Sequence, residues 1–349
     1  MERTVFYGTN RLKAGKFFDN AKFILIFLVV FGHFLQTFIA DYAGVRVLYI
    51  YIYTFHMPAF VLISGFFAKS FGKPGYLKKT MKKLILPYVF FQLIYSIFYY
   101  FLLSKDNLSI QFLDPEWSLW FLLSLFFWNI MLFIFAKIKP WKSICIALFV
   151  GLVAGYFDII GGYLSLSRTL VFFPFFLVGY FLKKEHFYYL KTHFVMILGG
   201  IFIVLLLSFI TFHPNLNDKW FLGSKPYANF VEVKSLGLFI RALVYLISFG
   251  SIAAFFSFIP RKRLFFTKWG KNTLYVYLLH GFFIKFFREG SQTDFQYSPS
   301  TFLLLFVVTF VLTVLLSSRL VKIFVQPVIE LRVSMLRDVF SRLTKRESY

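Results

Sequence analysis

A single cysteine, Cys145, in a chain of 349 residues rules out an internal disulfide, a thiolate metal cluster and a Cys-pair redox motif. Acidic residues are scarce too: 15 Asp and Glu stand against 38 Lys and Arg, and charged residues make up only 15% of the chain. Short segments of strictly alternating apolar and polar residues, the mark of a transmembrane barrel, are missing, and stretches such as Phe23 to Ile39 are apolar on every face. What remains is hydrophobicity. The chain is 59% hydrophobic and 23% aromatic with 54 Phe, and its mean hydropathy of +0.72 lies far above that of a soluble domain. A spanning helix needs about 20 apolar residues, and runs of that length recur between short charged or Gly- and Pro-containing connections. The composition predicts an all-α polytopic membrane protein.

Apolar runs and their breaks place ten spans at residues 22–40, 46–69, 84–103, 117–136, 143–163, 168–182, 193–212, 236–259, 272–288 and 300–326. The basic segment before the first span lacks a small-residue cleavage site, which reads as a retained helix rather than a removed signal. The longest connection, 213–235, is too short for a domain. The expectation is one membrane-embedded domain over 1–349: an N-terminal segment 1–21, a ten-helix bundle 22–326 and a basic tail 327–349. In that tail Ile329, Val333, Leu336, Phe340 and Leu343 recur at helical spacing opposite Arg332, Arg337 and Arg342, which suits a helix lying on the membrane surface. Alternate connections collect all but nine of the 38 basic residues on the side of both termini. Positive-inside bias makes that side cytoplasmic. Topology therefore accounts for the formal charge of +23, and no nucleic-acid partner is expected; the partner of most of the surface is the lipid bilayer.

Ionisable groups inside a span are costly and mark functional candidates. His33 lies eleven residues after Lys22, about 16 Å along a helix and so near the middle of a hydrocarbon core about 30 Å thick. Three turns put both on one face, which Gln36 and Thr37 continue. His56 sits at similar depth in Thr54-Phe55-His56-Met57-Pro58, with Ser64-Gly65 two turns on, and Pro58 frees a backbone carbonyl of the kind tolerated beside a cavity. His280 follows Tyr277 by three residues in the ninth span. Three histidines could hold zinc, serve as a general base at neutral pH, or simply be packed. We expect no metal and no resident cofactor. Glu116, Trp117 and Arg168, with Asp158, fall at the outer ends of spans, where interfacial anchoring is the plain role.

These residues resemble the integral-membrane acyltransferase family 3, especially its fucose 4-O-acetylase-like branch. The matching segments are Phe18-Asp19-Asn20-Ala21-Lys22 leading to Val29-Val30-Phe31-Gly32-His33; Phe55-His56-Met57-Pro58-Ala59-Phe60 with Ile63-Ser64-Gly65-Phe66; Lys82-Lys83-Leu84-Ile85-Leu86-Pro87-Tyr88; Leu119-Trp120-Phe121-Leu122; Phe173-Pro174-Phe175-Phe176-Leu177-Val178-Gly179-Tyr180; and Tyr277-Leu278-Leu279-His280. The resemblance implies an O-acyltransferase of a bacterial plasma membrane, with acetyl-CoA or another acyl-CoA as cytoplasmic co-substrate. The acceptor would be a hydroxyl of an envelope glycan or exported saccharide. His33, His56, Ser64 and His280 are the implied catalytic residues. Lys22, Lys79, Lys82 and Lys83 would hold CoA, with Lys where Arg is more usual; Lys neutralises a phosphate without the bidentate fork. Glu116, Trp117 and Arg168 would meet the acceptor. Some relatives carry a fused extracytoplasmic transferase; none is expected here, which leaves room for a separate one as partner. The alternative reading is a transporter or flippase of a lipid-linked sugar or small molecule, which also uses broken helices and polar groups at mid-depth.

Overall fold

Apolar segments in lipid close their backbone hydrogen bonds internally only as helices or closed barrels, and this chain takes the helical route. The computed structural model describes residues 2–290 and 298–329. Its helices are α1 (Glu2–Leu35), α2 (Ala43–Phe67), α3 (Tyr76–Leu102), α4 (Trp120–Phe135), α5 (Pro140–Val153), α6 (Leu166–Phe181), the short α7 (Lys184–Tyr189), α8 (His193–Phe212), α9 (Lys234–Phe258), α10 (Thr273–Lys285), α11 (Pro299–Leu316) and α12 (Arg319–Ile329), with no strand among the described residues. Among the described residues, eight stretches are long and apolar enough to cross a membrane. The fifth and ninth expected spans correspond to two shorter helices: α5, which continues as a 3₁₀ turn to Tyr156, and α10, which continues as a π-turn over Phe286–Gly290. The protein is an all-α, multi-pass membrane protein.

Several boundaries differ from the hydropathy reading. The first apolar stretch begins at Gly15 and ends at Leu35, because Phe17, Phe18 and Ala21 are already buried in the bundle, so His33 lies in the last turn of its helix. Gln36 and Thr37 lie beyond that helix. The third helix starts at Tyr76, which places the lysines at 78–83 on helical turns rather than in a connection. The tenth span, expected over 300–326, breaks after Leu316. There the Ser317 carbonyl accepts from Asn272 Nδ2 at 2.8 Å, and the charged Arg319 and Lys322 start a separate amphipathic α12. The surface helix expected from Val333 onward lies outside the described residues.

Helix α2 is the hub, packed on α1, α6, α8 and α9. Its tightest contact is with α6: a Cβ at Gly65 would come within 1.9 Å of the Phe176 carbonyl oxygen, and one at Gly179 within 1.9 Å of that of Leu62. Two glycines thus bring two backbones together, as small residues do between membrane helices. On the other flank α3 packs against α4, α10 and α12. Fully buried Asn20 fastens the middle of α1: Nδ2 donates to the carbonyls of Pro260 (2.9 Å) and Lys262 (3.0 Å), and Oδ1 accepts from Thr267 Oγ1 at 2.6 Å.

Candidate active site

Three helices bring the imidazoles together. The His33 and His280 rings stack with centroids 5.6 Å apart, and Trp117 lies against both, at 4.6 Å from His33 and 5.1 Å from His280. His56 joins through Tyr53, whose ring is 4.5 Å from it and whose hydroxyl is 3.4 Å from His33 Nδ1. His56 and His280 are closed off, 3% and 0% exposed, whereas His33 keeps accessible surface. Carbonyl oxygens only accept, so the contacts of His56 Nδ1 with the Ile52 carbonyl (2.9 Å) and of His280 Nδ1 with those of Val276 (3.0 Å) and Tyr277 (2.8 Å) put the proton on Nδ1 in both. Their Nε2 atoms carry the lone pair, and that of His280 is buried without a partner.

Below this cluster lies a cavity of about 480 Å³. Lys22, Lys79 and Lys83 line it together with Ser64 and Tyr76, and Met57, Phe60, Phe121 and Tyr277 line it as well. Val29, Met57 and Tyr277 in its wall stand one turn or less along the chain from His33, His56 and His280, so the cavity leads from the ammonium groups toward the imidazoles. Lys79 and Lys83 share a face of α3 at i and i+4. Lys82 does not line the cavity, being turned away by the helix that the sequence reading took for a connection. Lys22 is shared with Asp19, 2.9 Å away. Ser64 lines the cavity and gives its hydroxyl to the Phe60 carbonyl at 2.9 Å; eight residues from His56, about 12 Å along the helix, it belongs to the wall rather than to the imidazole cluster.

The expected acceptor residues divide. Trp117 sits at φ 42°, a left-handed conformation that costs a side-chain-bearing residue about 1–2 kcal/mol, and its indole lies against the stacked pair of histidines. Room for the ring depends on Gly281, where a Cβ would lie 2.4 Å from Trp117. Glu116 caps that turn, its backbone N–H donating to Gln92 Oε1 at 2.9 Å. Burial raises the Glu116 carboxyl above its ordinary value, against the attraction of Lys105. Arg168 stands 5.0 Å over the Trp120 ring.

Sequence reading missed Tyr53 and Arg288. The backbone N–H groups that follow the end of α1 bond to Gly32, Phe34 and Leu35 and leave the His33 carbonyl free. A helix C-terminus needs donors of this kind and favours cations. Arg288, projected from the π-turn, donates to that carbonyl and to Gln36 Oε1 at 2.7 Å. The one available signal was the i, i+3 pair of His33 and Gln36, which marks a polar face but names no partner.

An imidazole cluster beside a lysine-lined cavity, on an all-helical membrane frame, is the arrangement the chain presents. Residues 16–318 match the family model described as an acyltransferase domain, and the chain belongs to the integral-membrane acyltransferase family 3. No curated protein and no solved structure matches it.

Proposed function

We propose that the protein is an O-acyltransferase, most simply an O-acetyltransferase of a bacterial plasma membrane. It would take its acyl group from cytoplasmic acyl-CoA and give it to a hydroxyl of an envelope or exported saccharide. The observation that supports this reading is one cavity lined by lysines and, through Val29, Met57 and Tyr277, by the same stretches of α1, α2 and α10 that carry the three imidazoles. The Lys22, Lys79 and Lys83 ammonium groups suit the phosphates of CoA. The apolar stretch past Met57, Phe60 and Phe121 suits the pantetheine arm, and the thioester then arrives beside His33.

In this mechanism His33 gives its Nδ1–H to the Tyr53 oxygen, leaving Nε2 as the base. Nε2 takes the acceptor's hydroxyl proton as the oxygen attacks the thioester carbonyl. The tetrahedral adduct collapses with cleavage of the C–S bond, and the imidazolium returns the proton to the departing thiolate. His280 and Trp117 hold the ring of His33, and His56 holds Tyr53, so all three act as positioning groups. Glu116 and Trp117 meet the acceptor from the outer side.

The test is acetyl-CoA turnover by purified protein in nanodiscs with and without envelope glycan. Turnover should require the glycan, and His33→Ala should lower kcat by about 10²–10⁴-fold, the usual contribution of a general base. Lys79→Gln with Lys83→Gln should instead raise KM for acetyl-CoA about tenfold, as expected when about 1.4 kcal/mol of ground-state binding is lost. Full activity of His33→Ala at equal protein level would overturn the assignment.

A further inference from the structure

Two guanidinium groups flank the imidazole cluster, and neither has a counter-ion among the described residues. Arg168, in the first turn of α6, is stacked on Trp120 with no hydrogen bond to a described residue. Arg288 uses Nη2 for the His33 carbonyl and Gln36, and its Nε is buried without a partner. Trp120, under Arg168, follows Trp117 by three residues; Trp117 lies against His33, and Arg288 holds the His33 carbonyl, so both guanidinium groups belong to the surroundings of one imidazole. The ion pairs found among the described residues are Lys22 with Asp19 and Lys285 with Glu289, so neither arginine is neutralised in this way.

A cation kept in a half-buried site without its anion is costly, and stacking on an indole preorganises a guanidinium for planar, two-pronged recognition of carboxylate or phosphate. The donor's phosphates already have the lysines at the far end of the cavity. The anion that fits here therefore comes with the other substrate, past Trp117 and Trp120. We infer that Arg168, with Arg288, receives an anionic group carried by the acceptor close to its reacting hydroxyl, which makes the acceptor an acidic saccharide bearing carboxylate or phosphate rather than a neutral one. The word acceptor rests on the acyltransferase reading above; the anion site itself does not.

Equilibrium binding without any acyl donor separates the two. Wild-type protein in nanodiscs is titrated, with tryptophan fluorescence as readout, against four probes: glucuronate, its uncharged partner glucuronamide, glucose 6-phosphate and glucose. At least one charged probe should bind about tenfold more tightly than its neutral partner, the gain of one charge-assisted contact, and the better of the two charged probes tells carboxylate from phosphate. Arg168→Gln should reduce that preference to within about twofold, while Arg168→Lys, which retains the charge and guards against misfolding, should keep part of it. Equal affinity for charged and neutral probes, no binding of either charged probe, or an unchanged preference in folded Arg168→Gln would each overturn the inference. A loss of acetyl-CoA turnover alone would count only against the enzyme reading.

Discussion

A neutral imidazole can serve as a base only through the nitrogen that lacks its proton, so whatever accepts the other N–H decides what the ring can do. For His33 that neighbour is the Tyr53 hydroxyl, 3.4 Å from Nδ1. Tyr53→Phe removes the acceptor and keeps the ring against His56. We expect kcat to fall about tenfold with KM for acetyl-CoA unchanged, the pattern of a group that matters only in the transition state; steady-state kinetics at matched protein level check it. Glu116 gives a prediction of a different kind. Burial raises its carboxyl in the folded protein, so the folded state holds that proton more tightly than the unfolded chain. The stability this contributes is full below the unfolded value and is lost as pH rises through the folded one. Glu116→Gln should therefore raise thermal stability at neutral pH, and the gain should vanish on acidification. Melting curves across pH would refute this if the gain were the same at every pH.

Among the elements, α1 is tied down by side chains far away in sequence. Its C-terminal end depends on Arg288 for the carbonyl that the last turn leaves unsatisfied, and this contact also sets where His33 stands. Its middle depends on Asn20, whose amide makes all three of its hydrogen bonds to the 260–267 segment. Asn20→Ala leaves buried carbonyls without donors and should cost about 1–3 kcal/mol. Because that segment leads into α10, thermal unfolding should report the loss and acetyl-CoA turnover should fall with it. An unchanged melting temperature would show that the segment is held by other means. The early start of α3 matters in the same way, since only helical turns put Lys79 and Lys83 on the cavity and Lys82 away from it.

For the whole molecule the relevant asymmetry is across the membrane. Basic residues collect in alternate connections, and the cavity is lined by lysines of that same set, while Trp117 and Arg288 stand at the opposite end of α1, against His33. The transfer proposed above would use such polarity, with donor and acceptor approaching from different compartments. In a Cys145→Ser background, a membrane-impermeant maleimide should label Ser109→Cys on intact cells and label Lys73→Cys only after permeabilisation. Labelling in the reverse pattern would invert the topology.

Hydropathy and the charge of alternate connections were sufficient for the helical class and the order of the spans, because burial of apolar length in lipid is a local property of each segment. The same local logic picked out His33, His56 and His280, since polar residues inside apolar runs stand out one by one, whereas Trp117 was expected only at the outer end of a span. It could not show that His33 closes its helix rather than centring it, that Ser64 stands apart from the imidazoles and Lys82 from the cavity, or that Tyr53 and Arg288 complete the cluster. Those facts depend on contacts between residues up to 255 positions apart, made where glycines let backbones approach and a π-turn aims one guanidinium. The chain's own composition dictated that it would cross the membrane many times; only packing between the crossings decided which of its polar groups would meet.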